Sequence, residues 1–82
     1  MPVISRFYGI IIKMFYNEHN PPHIHALYGE YIGSIDLKTL EMTSGDLPAR
    51  ALALSQEWTK KNQKELLAMW ESKKLKKLAP LK

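Results

Sequence analysis

Apolar positions follow the two-residue period of strands in the first half of the chain and the three-to-four-residue period of helices in the second. Residues 2–7 read as a short strand and Tyr8-Gly9 as a turn, with Gly9 relieving the backbone. Residues 10–16 (Ile-Ile-Ile-Lys-Met-Phe-Tyr) are β-branched or aromatic at most positions, which predicts a central strand buried on both faces except at Lys13. Pro21-Pro22 fixes φ and removes two backbone donors, so it forms a stiff corner between elements. After the corner, 23–28 and 31–37 predict two strands joined at Gly29-Glu30, a two-residue turn with glycine at the positive-φ position. A turn at Lys38-Thr39 would lead into a fifth strand at 40–43.

Beyond Ser44-Gly45 the period changes. Leu47, Ala51, Leu54 and Trp58 recur at spacings of four, three and four, one apolar stripe on a helix over about 47–61. Asp46 or Leu47 is the expected N-cap and Pro48 lies in the first turn, where its missing N–H costs nothing. Lys60-Lys61 suits a helix end, and Asn62-Gln63-Lys64-Glu65 has the form of a capping box opening a second helix at 63–74. Leu66, Leu67, Met69 and Trp70 give that helix its apolar face, and Pro80 ends any helix in the basic tail, 73–82. The expected fold is α+β. A single domain, 1–82, has an antiparallel meander of four to five strands over about 2–43 and two C-terminal helices packed on one face.

Counting outward from the Gly29-Glu30 turn pairs Tyr28 with Tyr31, Leu27 with Ile32, Ala26 with Gly33, His25 with Ser34, Ile24 with Ile35 and His23 with Asp36. Alternation then puts His23, His25, Ser34 and Asp36 on one face, with Ile24, Ile35 and the tyrosine pair on the other. A two-residue turn at 38–39 would also set Glu41 opposite Asp36. Two carboxylates beside His23 call for a shared proton, a histidine or a bound cation.

All three histidines of the chain, His19, His23 and His25, fall within seven residues. One reading is a divalent metal held by His23 and His25, with His19, Asp36 or Glu41 completing the site. A second is acid–base chemistry without metal, in which Asp36 orients His23 while His25 or His19 is the second group. Near a basic tail, such a pair is the minimal equipment for cleaving RNA through its own 2′-hydroxyl. A third reading is structural: the histidines hydrogen-bond across the hairpin and fill the corner. Trp58 and Trp70 continue apolar helical stripes and read as core or interface anchors rather than stacking platforms. Arg6 and Lys13 can form a small positive spot across the first hairpin. No phosphate-binding glycine loop, nucleophile elbow or zinc-finger spacing is present.

At 82 residues the chain is near the lower end of what folds without a staple, and with no cysteine it has neither disulfides nor a cysteine-held zinc. Lack of cysteine fits a reducing cytoplasm. The apolar stretch 3–16 is interrupted by Arg6 and Lys13, too short to span a bilayer and without a cleavage site, so no membrane role is expected. The net charge of +4 divides into +6 from Lys60 onward and −2 before it. That asymmetry points to a polyanion, RNA or DNA, or an acidic partner held by Lys73, Lys74, Lys76 and Lys77; the bland alternative is a solvated helix end.

The opening Met1-Pro2-Val3-Ile4-Ser5-Arg6-Phe7-Tyr8-Gly9-Ile10, the corner His19-Asn20-Pro21-Pro22-His23-Ile24-His25, Leu47-Pro48-Ala49-Arg50-Ala51-Leu52, Glu57-Trp58 and Glu65-Leu66-Leu67 through Trp70 together resemble a small bacterial family catalogued as domain of unknown function 4160. That family often has an aromatic residue where Ile24 stands and a histidine where Asn62 stands, which argues against a required catalytic group at position 62. The resemblance implies a gene encoded beside another small protein, as in a toxin–antitoxin operon, and hence an antitoxin-like partner. The expectation is a cytoplasmic, toxin-like ribonuclease acting on RNA or translation. His23 is then the main acid or base, and Arg6, Lys13 and the tail lysines hold phosphate. The alternatives are a non-enzymatic module that docks a protein through Trp58 and Trp70 or binds nucleic acid, a small metal-binding protein, and self-association of the chain.

Overall fold

Strands form where the two-residue alternation is strongest. In the computed structural model, which describes residues 3–15 and 19–82, these are β1 (Val3–Phe7), β2 (Ile10–Lys13), β3 (His23–Tyr28), β4 (Tyr31–Asp36) and β5 (Met42–Gly45). They form one antiparallel meander in chain order, followed by α1 (Ala49–Lys61) and α2 (Gln63–Ser72), the expected α+β architecture. Pro2 and Tyr16, expected at the ends of the first two strands, lie outside the described residues.

The hairpin count holds across β3 and β4, where every pair from His23↔Asp36 to Tyr28↔Tyr31 is as expected, and Gly29 in the turn has φ +58°. One face of the sheet carries Ile10, Ile12, Met14, Ile24, Ala26 and Ile35, all buried beneath α1 and α2, which contribute Ala51, Trp58, Leu66, Met69 and Trp70 to the same core. Buried Ser55 and Thr59 interrupt the apolar stripe of α1 without leaving polar atoms unsatisfied. Each hydroxyl donates to the carbonyl four residues back, Ser55 to Ala51 and Thr59 to Ser55.

Three local expectations are corrected. The crossing from β4 to β5 is not a two-residue turn. Four residues, 37–40, make it: the Leu40 N–H donates to the Asp36 carbonyl, the Asp36 N–H donates to the Glu41 carbonyl, and Leu40 takes φ +68°. β5 therefore begins at Met42, and a bulge shifts its register against β4. Pro48, rather than Asp46 or Leu47, is the N-cap of α1, and neither helix start has a side-chain cap. The capping box at 62–65 does not form, because Asn62 Nδ2 donates back to the Trp58 carbonyl at the end of α1 while Glu65 pairs with Lys76 at 2.8 Å.

The tail departs furthest from expectation. α2 stops at Ser72, where Lys73 turns left-handed (φ +61°), and the remaining residues run back as a strap along the outer side of β1. The Leu78 N–H donates to the Ile4 carbonyl, the Trp58 indole N–H donates to the Ala79 carbonyl, and Leu81 is buried. Leu75 and Leu78 pack against the core, so the apolar positions of the tail face inward and its lysines outward. The strap covers the β1 edge of the sheet, whereas β5 forms the opposite edge and is exposed over most of its length.

Gly45, at the end of β5, has φ +88°, and a Cβ there would overlap the carbonyl oxygen of Ile32. Gly45→Ala is expected to destabilise the fold by about 1–3 kcal/mol or more, through both conformation and overlap. Gly29→Ala, where a Cβ meets nothing within 4 Å, is expected to cost less. Urea midpoints of the two variants check the difference.

Candidate functional site on the open sheet face

The face of the sheet turned away from the helices is ordered by strand register. Lys13 lies opposite His25, His25 opposite Ser34 and Ser34 opposite Ser44, giving one polar row across four strands. A second row, Ile11, Leu27 and Ile32, is apolar, with Ile32 54% exposed. His23 and Asp36 occupy the corner end, where β3 begins.

The two strand histidines meet as expected, their ring centroids 5.0 Å apart and nearly perpendicular. They belong to a longer run of rings. Phe15 meets the edge of His25 at 4.9 Å, and on the other side Trp70 of α2 lies 5.2 Å from His23. Trp70 is anchored in turn by its indole N–H, which donates to Asn20 Oδ1 in the corner at 3.2 Å. The helix that covers the core thus also supports the corner, and Asn20 ties the loop to it.

The His23 tautomer follows from its partner. Nδ1 lies 2.8 Å from the Pro21 carbonyl oxygen, and a carbonyl can only accept, so Nδ1 carries the proton. In the neutral ring the lone pair then lies on Nε2. His25 Nδ1 stands 3.4 Å from Ser34 Oγ, at the long end of hydrogen bonding.

The role expected of Asp36 is taken elsewhere. The Pro21 carbonyl orients the His23 ring at Nδ1, while Asp36 Oδ1 accepts the backbone N–H groups of Lys38 (2.7 Å) and Thr39 (3.0 Å) and shapes the β4–β5 crossing. Among the described residues no group of three or more histidine, aspartate or glutamate side chains is placed to hold a metal, so the expected set His23, His25, Asp36 and Glu41 does not converge. Asp36→Ala is expected to lose about 1–3 kcal/mol of stability because two backbone N–H groups of the crossing lose their acceptor, at ~0.5–1.5 kcal/mol each. Asp36→Asn, which keeps an acceptor oxygen, should retain most of it in thermal melts.

His19 is exposed in the corner and makes no ring contact among the described residues. Arg6 shares the open face but lies opposite Ile11, offset from Lys13, so the two do not meet directly across the hairpin. Of the tail lysines, Lys73 lies over the Trp70 ring at 4.9 Å and is brought to the His23 end. Lys76 is paired with Glu65, and Lys74 and Lys77 are exposed. The histidine partners that sequence reasoning missed are Phe15, the Pro21 carbonyl and Trp70. Phe15 alternates with Ile11 and Lys13, and that alternation was the available signal for its face.

Residues 9–71 match the family described as domain of unknown function (DUF4160), a span that includes the corner, the whole of β2 to β5 and nearly all of both helices. No curated protein and no solved structure matches the chain. No helix among the described residues is long and apolar enough to cross a membrane.

Proposed function

The chain belongs to the domain of unknown function (DUF4160) family, and from the imidazole pair on its open sheet face we propose that it is a toxin-like protein that cleaves RNA. The observation that carries this reading is the placement of two imidazoles 5.0 Å apart on one face of the sheet, with Lys13 directly opposite His25. His23, whose neutral tautomer has its lone pair on Nε2, acts as the base and takes the proton of a ribose 2′-hydroxyl. The 2′-oxygen attacks the adjacent phosphorus, the bond from phosphorus to the 5′-oxygen breaks, and His25 delivers a proton to that leaving oxygen. The products are a 2′,3′-cyclic phosphate and a 5′-hydroxyl end. Lys13 stabilises the charge that builds on the phosphoryl oxygens in the transition state. The cognate antitoxin-like protein acts by covering this face.

The test is incubation of purified protein with a single-stranded RNA labelled at one end, alongside induced expression in cells. The reading expects cyclic-phosphate products in the first and growth arrest in the second. A folded wild-type protein that does neither sinks it.

One observation favours a second reading, a non-enzymatic module that docks a protein partner. The row Ile11, Leu27 and Ile32 lies on an uncovered sheet face, and an apolar surface of that kind suits a protein interface. In this reading the run from Phe15 to Trp70 is packing, and replacing Ile32 by a charged residue abolishes partner binding while His23→Ala leaves it intact.

A further inference from the structure

The docking of the tail creates a cleft that neither end of the chain would form alone. It lies between β1 and the strap, has a volume of about 210 Å³, and is lined by Arg6 from β1 and Lys77 from the tail, with Val3, Ser5 and Leu78 in its walls. At ~30 Å³ per water, that volume admits a phosphate group. Among the described residues neither cation has a carboxylate partner, whereas the neighbouring Lys76 is neutralised by Glu65. Arg6 and Lys77, cations brought together from β1 and the tail with no carboxylate partner among the described residues, form a site that favours an anion. Arginine supplies a planar fork and lysine a point charge, the combination suited to phosphate oxygens.

The position of the cleft indicates which phosphate. Val3 lies opposite Lys13, and Lys13 opposite His25, so the cleft opens at the β1 end of the row that contains the histidine. Two strand spacings of ~4.8 Å separate Val3 from His25, within reach of one short nucleic-acid strand.

We propose that the cleft between β1 and the C-terminal strap is a phosphate-binding subsite, built on Arg6 and Lys77, that holds the backbone of a single-stranded RNA whose reacting bond lies at the histidines. The subsite rests on the cleavage reading for the identity of the strand. The tail lysines thereby divide by role: Lys77 binds the strand, Lys76 holds the strap to α2, and Lys73 stacks on Trp70.

The test uses the full chain and a fluorescent 2′-O-methyl oligouridine of about eight nucleotides, which lies within the ~4–16-nucleotide site sizes of small single-strand binders and is not cleaved because its nucleophile is blocked. Arg6→Gln/Lys77→Gln is expected to weaken binding at least tenfold and to reduce the slope of log affinity against log salt by about 1.4, two contacts at ~0.7 each. Lys60→Gln/Lys64→Gln removes the same charge on the helices and is expected to leave both quantities near wild type. Circular dichroism checks that each variant is folded; all four replaced cations are exposed.

Equal binding by wild type and Arg6→Gln/Lys77→Gln overturns the subsite, as does an equal loss in the helix control. Inorganic phosphate bound by wild type but not by Arg6→Gln/Lys77→Gln, with the oligonucleotide bound by neither, keeps the phosphate site and overturns the strand. If the wild type binds the oligonucleotide through Arg6 and Lys77 yet cleaves no RNA, the subsite stands and the cleavage reading falls. Cleavage that is unaffected by Arg6→Gln/Lys77→Gln at low substrate concentration has the opposite meaning.

Discussion

Replacing His23 by alanine is expected to slow RNA cleavage by about 10²–10⁴-fold, the usual contribution of a positioned acid or base, and to relieve growth arrest in cells. The expectation rests on how the ring is fixed. Its Nδ1 proton is committed to the Pro21 carbonyl and its face is supported by Trp70, so both tautomer and orientation are set before substrate arrives. His25→Ala should produce a loss of the same order. The double variant should be little worse than either single one, because the two groups act in one proton-transfer sequence. Single-turnover cleavage of a labelled RNA measures all three. Folding is a separate matter: losing one hydrogen bond and two ring contacts, to His25 and Trp70, costs about 2–4 kcal/mol, which thermal melts will register. A folded His23→Ala protein that cleaves at the wild-type rate removes His23 from the chemistry.

The largest effect on stability is expected from Trp58→Ala, at about 3–5 kcal/mol. Trp58 is 1% exposed, its ring packs 5.6 Å from Phe7 of β1, and its indole N–H donates to the Ala79 carbonyl at 2.8 Å. It therefore joins α1, the sheet and the strap at one point. Small domains have only about 5–15 kcal/mol in total, so this loss should move the urea midpoint by a large fraction of its value. Trp58→Phe separates the two functions of the side chain. It keeps most of the apolar burial but leaves the Ala79 carbonyl without its donor, so the global midpoint should fall less while protease cleavage in the tail accelerates. Equal protection of the tail in Trp58→Phe and wild type would mean that the leucines alone hold the strap.

The extent to which the chain can be read in advance depends on how far apart the interacting residues lie. The β3–β4 register follows from residues 23–36 because the Gly29-Glu30 turn fixes the count and each later pair repeats it. The face shared by His23 and His25 was legible for the same reason. The role of Asp36 was not, since the competitors for its carboxylate are the backbone N–H groups of Lys38 and Thr39, which every sequence has in common. Nor does any local period announce that Trp70, in α2, lies against His23, because that contact depends on where the second helix crosses the end of the sheet. The strap was misread for a different reason. Leu75, Leu78 and Leu81 stand among five lysines and read as a weakly apolar, highly charged end, although their spacing gave the signal that one side of this segment is buried.

The unequal treatment of the two sheet edges limits how the chain can assemble. An open edge invites another strand, and β5, Met42-Thr43-Ser44-Gly45, has neither lysine nor proline to discourage one. The opposite edge is already occupied, because the strap binds the Ile4 carbonyl of β1. Edge-to-edge addition would therefore use the β5 side of each molecule and stop when two have joined. A sheet with two bare sides could add copies without limit and become a filament. Residues 73–82, by covering the β1 edge, would hold any such strand-to-strand association to a pair.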